Sequence, residues 1–354
     1  MTPWMIYGAN GYTGELAARE AAARGLGPVL AGRNREAVET LARELGLPCR
    51  IFSLDDSREA ARGLDAIAAV LHCAGPFVRT SAPMVAACLS AGAHYLDITG
   101  ELQVFERILS KREEARRAGV ALLPGVGFDV VPSDCLAACL AAALPDATEL
   151  ALAFAADRGT WSRGTLKTAI ENLPHAGAIR KDGRIVPVPV AWDVREIDFG
   201  GRLGKRRAMT IPWGDVSTAF HSTGIPNIRV YTGVPPAAIR KMRRLAPLLP
   251  LAGWAPVKKL LQAWVGRTVT GPTENVRETA RVFLWGEARN GAGRSVTATL
   301  ETPEAYGFTA VSAVECARRA VEGKVEPGAW TPSLAFGKDF VSELPGVVVG
   351  PLNT

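Results

Sequence analysis

The chain lacks an apolar run long enough to cross a bilayer. A spanning helix needs about 18–20 such residues, and the longest stretch free of Asp, Glu, Lys and Arg, Thr80–Leu96, is broken by Pro83 and by Ser, Thr and His. That argues against an integral membrane protein. The six cysteines (Cys49, Cys73, Cys88, Cys135, Cys139, Cys316) form no CxxC pair and no dense spacing, which excludes a disulfide-stapled secreted module and a zinc ribbon. Cys135 and Cys139 stand four apart on a helical stretch and read as core thiols. Four scattered histidines, with no HExxH, Cys/His cluster or nucleophile elbow, give no reason to expect a metal. A secretory leader also finds no room, because the apolar run Trp4–Tyr7 meets a glycine at Gly8; a cytoplasmic chain is expected.

Acidic residues are missing from one long segment. Between Asp215 and Glu274 there are none, while Arg229, Arg240, Lys241, Arg243, Arg244, Lys258, Lys259 and Arg267 are basic. The segment therefore carries +8 against a net charge of +6 for the whole, leaving −2 elsewhere. The basicity is local, interleaved with Leu, Pro and Trp, and no nucleic-acid motif accompanies it. No nucleic-acid partner is expected.

What is present is globular. The 354 residues are 48% hydrophobic and 21% charged, enough for about two domains at roughly 100–200 residues each. From residue 3 to about 142, short apolar runs alternate with helical stretches, as in a parallel sheet with crossover helices. The runs Trp4–Tyr7, Val29–Ala31, Arg50–Ser53, Ala68–Cys73, His94–Ile98 and Ala121–Leu123 make a six-stranded dinucleotide-binding sheet.

Where the first run becomes the first helix stands Gly8-Ala9-Asn10-Gly11-Tyr12-Thr13-Gly14. Gly8 permits a tight turn, Gly11 lets backbone approach a pyrophosphate, and Gly14 lets the helix pack on the sheet. Free N–H groups and the positive dipole end then face the phosphates. An NAD site places an acid about twenty residues further on, at the ribose 2′-hydroxyl. Here the second strand ends Leu30-Ala31-Gly32-Arg33-Asn34-Arg35. Arg33 suits a 2′-phosphate, so NADP is the expected cofactor. Asp55, after the third strand, is placed either for the adenine amino group or as a solvated turn residue. Ala74-Gly75-Pro76-Phe77 follows the fourth strand as a small-residue turn beside the ribose and nicotinamide. Asp97 and Glu101, after the fifth, are proton-donor candidates or helix caps. Asp129, His175 and His221 complete the proton-donor candidates.

The motifs GANGYTG, LAGRNREAVETLA, HCAGPF, YLDITGE and PGVGFDVVPSD occur in this order. The chain resembles the saccharopine dehydrogenase-like NADP-binding oxidoreductases, in the branch that includes the trans-acting enoyl reductases. IPWGDVSTAFHSTGIPNI, GPTENVRE and TPSLAFGKDF extend the resemblance along the chain. It implies a Rossmann-type doubly wound parallel sheet followed by a second α/β domain. It also implies that Gly8, Asn10, Gly11, Tyr12, Thr13 and Gly14 surround the pyrophosphate, with Arg33 at the 2′-phosphate and Ala74–Phe77 at the nicotinamide. The activity implied is NADPH-dependent reduction of a C=C bond in an apolar acyl or polyketide-like substrate, free or carrier-bound. A C–N reductase of saccharopine type and a non-catalytic NADP-binding lipid-associated module are the alternatives.

From Thr148 the pattern changes. Glu149–Ala155, Arg184–Pro189, Ile228–Tyr231, Thr279–Glu287 and Ser295–Glu301 read as strands of a mixed or antiparallel sheet. The expected division is residues 1–145 for NADP binding, rejoined by a helix within 305–354, and 146–304 for substrate or oligomerisation. Seven of the eight tryptophans follow residue 150, as pocket walls or as core. Residues 237–265 hold two helical pieces broken by prolines, whose Leu, Trp and basic residues fit a substrate entrance, a peripheral membrane contact or a homodimer surface.

Overall fold

Three runs, Trp4–Tyr7 (β1), Val29–Gly32 (β2) and Ala69–His72 (β4), are buried at every position, as strands covered on both faces must be. A computed structural model describes residues 3–158, 166, 170, 177–247, 254–268 and 271–354. Between and beyond those strands come α1 (Tyr12–Ala23), α2 (Arg35–Leu45), β3 (Cys49–Ile51), α3 (Ser57–Gly63), α4 (Phe77–Ala91) and β5 (His94–Asp97). Then follow α5 (Leu102–Leu109), α6 (Arg112–Arg117) and β6 (Ala121–Leu123). All neighbouring strands pair in parallel, in the order β3-β2-β1-β4-β5-β6, and a short seventh strand, Gly328–Ala329, adds beyond β6.

Local chemistry sets the helix limits. Asn34 accepts from the Ala37 N–H at 3.3 Å and Asp56 from the Arg58 N–H at 2.8 Å, capping α2 and α3. Gly46, at φ 66°, ends α2 in the left-handed conformation that glycine adopts without strain. Between β5 and β6 the chain forms two helices, α5 and α6, rather than one. Ser110 turns its hydroxyl back onto the Arg107 carbonyl at 2.8 Å, and the first helix ends there.

The chain divides into two units, Met1–Val131 with Tyr306–Gly337, and Pro132–Ala305 with Lys338–Thr354. The first boundary falls earlier than residue 145, because α7 (Val131–Ala143) belongs almost wholly to the second unit. There it packs on a bare backbone: a Cβ at Gly286 would lie 2.5 Å from Leu140. The late helix Ala305–Val321 returns to the first unit from Tyr306 onward, whereas residues 338–354 stay with the second.

The second unit is built on a nine-stranded mixed sheet. Its strands are β7 (Ala147–Ala156), β8 (Ala178–Lys181), β9 (Arg184–Pro187), β10 (Val194–Asp198), β11 (Lys205–Thr210), β12 (Asn227–Gly233), β13 (Arg281–Asn290), β14 (Ser295–Pro303) and the short Val348–Val349. β12 runs parallel to β7 and the other pairs are antiparallel. β8, β10 and β11 have no apolar signature in the sequence. Their arginines explain this: the Arg195 guanidinium lies over the Trp285 ring at 4.8 Å, so a charged side chain covers the aromatic core. The tryptophans split in role, since Trp285 is buried and Trp213 packs on Phe154 at 4.5 Å, while Trp192, Trp254 and Trp264 are exposed. Trp161 lies outside the described residues.

Candidate active site

At the carboxyl edge of the parallel sheet, β1 and β4 lie side by side and the connections leave in opposite directions. Ligands of open α/β sheets bind at such a switch point. Gly8 leaves β1 at φ 83°, and its N–H and that of Ala9 both donate to the Ala31 carbonyl, at 2.7 and 3.1 Å. A Cβ on Gly8 would stand 2.7 Å from the Ala74 nitrogen, so the turn after β1 touches the turn after β4. At Gly14 a Cβ would meet the Gly8 carbonyl oxygen at 2.2 Å. Backbone closes on backbone at both positions, and a side chain at either would fill the cradle.

The first turn of α1 is open. Its N-cap, Gly11, has no side chain to offer, and Asn10 and Gly11 are exposed. Tyr12 sits edge-on to Tyr306, 5.2 Å between ring centres, and Thr13 is half-buried beside it. The Asn10 side chain reaches across to Gly32 at the end of β2, where a Cβ would be 3.2 Å from its oxygen. Arg33 follows directly, exposed and without an ion-pair partner among the described residues, whereas Arg35 is engaged by Glu39 at 2.8 Å. Asp55 is exposed and folded against Ser53, whose hydroxyl donates to it at 2.9 Å. An anion cradle at an open helix N-terminus and a free guanidinium at the second strand are the features that NADP needs. The residues fit the cofactor.

Beyond β4 and β5 the carboxylates gather. Asp97 is fully buried and saturated: it accepts from the Tyr95 hydroxyl at 2.7 Å, the Thr99 N–H at 3.0 Å and the Gly125 N–H at 2.8 Å. Burial pushes its carboxyl up to about 6 despite these donors. Glu101, also buried, accepts from the Phe77 N–H at 2.8 Å and the Val78 N–H at 3.0 Å. Its carboxylate thereby caps α4, and so holds the Ala74–Phe77 turn in place. Asp129 closes on Gly100, where a Cβ would come within 1.7 Å of its Oδ2. Of the three, Asp129 alone is half-buried rather than buried.

His72, the last residue of β4, is a part of this edge that the sequence reading passed over. It is fully buried, shares a hydrogen bond with the Thr80 hydroxyl at 3.0 Å, and stands in register with Asp97. Burial pulls its imidazole down to about 3 and keeps it neutral. The Cys73 thiol is pushed up to about 12 by burial and by Asp97, so it is no nucleophile. Gly100 was missed as well; its signal was its place between Thr99 and Glu101 in the YLDITGE motif.

In the second unit, Asp215 accepts from the Ser133 hydroxyl at 2.8 Å, and Asp134 accepts from Ser222, pinning the helix Asp215–Thr223 to the start of α7. Burial and then Asp134 push the Asp215 carboxyl up. His221 is on the same helix, its ring against Phe220. His175 lies outside the described residues.

A family model described as the saccharopine dehydrogenase NADP-binding domain matches residues 4–123. The saccharopine dehydrogenase-like oxidoreductase of Homo sapiens is 33% identical over 156 residues, 37% of this chain and 35% of that protein. The trans-acting enoyl reductase of Mycobacterium tuberculosis is 35% identical over 140 residues, 37% of this chain and 33% of that protein. The chain thus matches about a third of the length of these curated relatives. An apo saccharopine dehydrogenase (L-Glu forming) of Saccharomyces cerevisiae shares the fold, with a TM-score of 0.67 over 99% of this chain and 100% of that one at 11% identity. Residues 4–123 thus match the saccharopine dehydrogenase NADP-binding domain, and it is in its cofactor half that the chain is similar to these NADP-binding oxidoreductases.

Proposed function

We propose that this protein is an NADPH-dependent reductase of a C=C bond in an apolar acyl or polyketide-like substrate, free or carrier-bound. The observation that carries the reading is the 35% identity to the trans-acting enoyl reductase of M. tuberculosis. When bound, NADPH supplies a hydride; the remaining tasks fall to the chain. The open N-terminus of α1 takes the pyrophosphate and Arg33 the 2′-phosphate. Reducing a C=C bond also needs a proton at the neighbouring carbon. Asp97 and Glu101 have their oxygens committed to backbone and hydroxyl donors. They act as positioning residues, and Asp129, the half-buried carboxyl, carries the proton.

The C–N alternative draws on the fold shared with saccharopine dehydrogenase, and a substrate panel separates the two. NADPH oxidation is followed with enoyl thioesters of increasing chain length and with amine–aldehyde pairs that form imines. Turnover of the thioesters is the expected result; oxidation confined to the imine pairs overturns the reading. Gly100→Ala tests the proton carrier. The added methyl displaces only the end of the Asp129 side chain, so the backbone stays while the carboxyl moves. Both Gly100→Ala and Asp129→Asn should lower kcat by about a hundredfold or more with NADPH affinity unchanged. Wild-type turnover by both variants refutes the Asp129 assignment.

A further inference from the structure

Seven of the eight basic residues of the acid-free segment follow β12, where two helices of the second unit lie, Pro236–Leu245 and Ala255–Thr268. The first is seated by one side: Ile239 is buried against Ala191 and Met209, and Arg243 donates to the Ala191 carbonyl at 2.7 and 3.2 Å. That hydrogen bond brings the exposed Trp192 next to the helix. At about 100° per residue, Lys241 and Leu245 lie opposite Ile239. Arg240, Lys241 and Arg244 are exposed there and have no ion-pair partner among the described residues, beside the exposed Met242 and Leu245. On the second helix Trp264 is 61% exposed although its neighbour Val265 is buried, and Trp254 just before the helix is 67% exposed. A globular surface gains nothing from unpaired arginines set among bare Trp, Met and Leu side chains.

We infer that this face docks on an anionic lipid bilayer. Arg and Lys meet lipid phosphates, Trp side chains settle at the headgroup level, and Leu and Met enter the acyl boundary. A nucleic acid satisfies the charges but offers no apolar phase for Met242 and Leu245. A second copy of the chain presents the same positive charge and is repelled. The inference concerns the second unit and stands apart from the reading of the chemistry, because binding is measured without turnover.

The experiment is flotation of the full chain with vesicles of phosphatidylcholine alone and of phosphatidylcholine with phosphatidylglycerol. The protein should float only with the anionic vesicles, and rising salt should release it. A variant carrying Arg240→Glu, Lys241→Glu and Arg244→Glu, with Arg243 kept to seat the helix, should bind at least about a hundredfold more weakly. It should retain the wild-type melting curve and NADPH affinity. Trp254→Ser with Trp264→Ser should weaken binding without changing its dependence on salt. Failure of the wild type to float at low salt, equal flotation with both vesicle types, wild-type binding by the charge variant, or preference for polyuridylate over the anionic vesicles would overturn the inference. The salt titration of the wild type decides the electrostatic part even where the charge variant melts early.

Discussion

His72 and Asp97 end adjacent strands in register, both fully buried, and burial displaces them in opposite senses. The imidazole goes from 6.5 down to about 3 and the carboxyl from 3.8 up to about 6. For His72 the unfolded chain binds the proton more tightly, so stability is lost as pH falls from about 6.5 towards about 3. For Asp97 the folded chain binds it more tightly, so stability is full below about 3.8 and is lost as pH rises through about 6. From about pH 4 to about pH 6 each group's contribution changes by about 2 kcal/mol, with opposite signs, and the two changes nearly cancel. Removing one member exposes the other. Asp97→Asn keeps an oxygen for the Thr99 and Gly125 N–H groups and turns its amide towards the Tyr95 hydroxyl. His72→Phe keeps the ring among Tyr7, Phe77 and Tyr95, while Thr80 still donates to the Ala74 carbonyl at 2.6 Å. Urea unfolding of the three proteins across this interval supplies the test. Relative to wild type, Asp97→Asn should gain about 2 kcal/mol of stability from pH 4 to pH 6, and His72→Phe should lose about 2 kcal/mol. Every other titrating group is common to all three and drops out of the difference. Two flat difference profiles would refute the assignment of a neutral imidazole and a high carboxyl to this edge.

Two further outcomes follow from the same edge. Arg33→Asp should reverse a preference for NADPH over NADH, because a charge-assisted phosphate contact worth about 1.5–3 kcal/mol is lost and a repulsive charge gained; equal wild-type affinity for the two cofactors in a fluorescence titration refutes the assignment. Glu101→Gln leaves one amide face towards an N–H of α4, donor against donor, and should lower stability by about 1.5–3 kcal/mol; an unchanged melting temperature contradicts the cap.

The cofactor half was legible because its signals are local. Gly8, Gly11 and Gly14 stand where backbone meets backbone, and no other residue type fits at Gly14 without moving the turn. Continuous apolar strands announce a sheet covered on both faces. The partners of Glu101 and Asp129 were not legible. Each is fixed by contacts across loops distant in the chain, with Phe77 for the first and Gly100 for the second. Nor were β10 and β11, whose arginines lie along strands and hide the alternation that marks a one-sided sheet. The boundary at residue 131 escaped for a related reason: α7 is as apolar as a crossover helix, and only its fit on Gly286 shows which sheet it serves.

Two helices, α1 and α4, begin at the same edge of the sheet, after adjacent strands, and each points the positive end of its dipole outward. Left alike, they would offer a dianionic pyrophosphate two competing positions. The chain treats them differently. α4 is closed by the buried Glu101 carboxylate, which takes two of its N–H groups. α1 is capped by a glycine that contributes nothing but backbone. A carboxylate at the mouth of α1 would cancel the site, and a glycine at position 101 would leave buried N–H groups without an acceptor, at about 1–3 kcal/mol each. If NADPH binds as proposed, this asymmetry favours its phosphates at α1, since the carboxylate at α4 offsets the positive end of that helix. Glu101 therefore closes the mouth of α4 and leaves that of α1 as the open one, and the sequence encodes the difference as one acid placed four residues after Asp97.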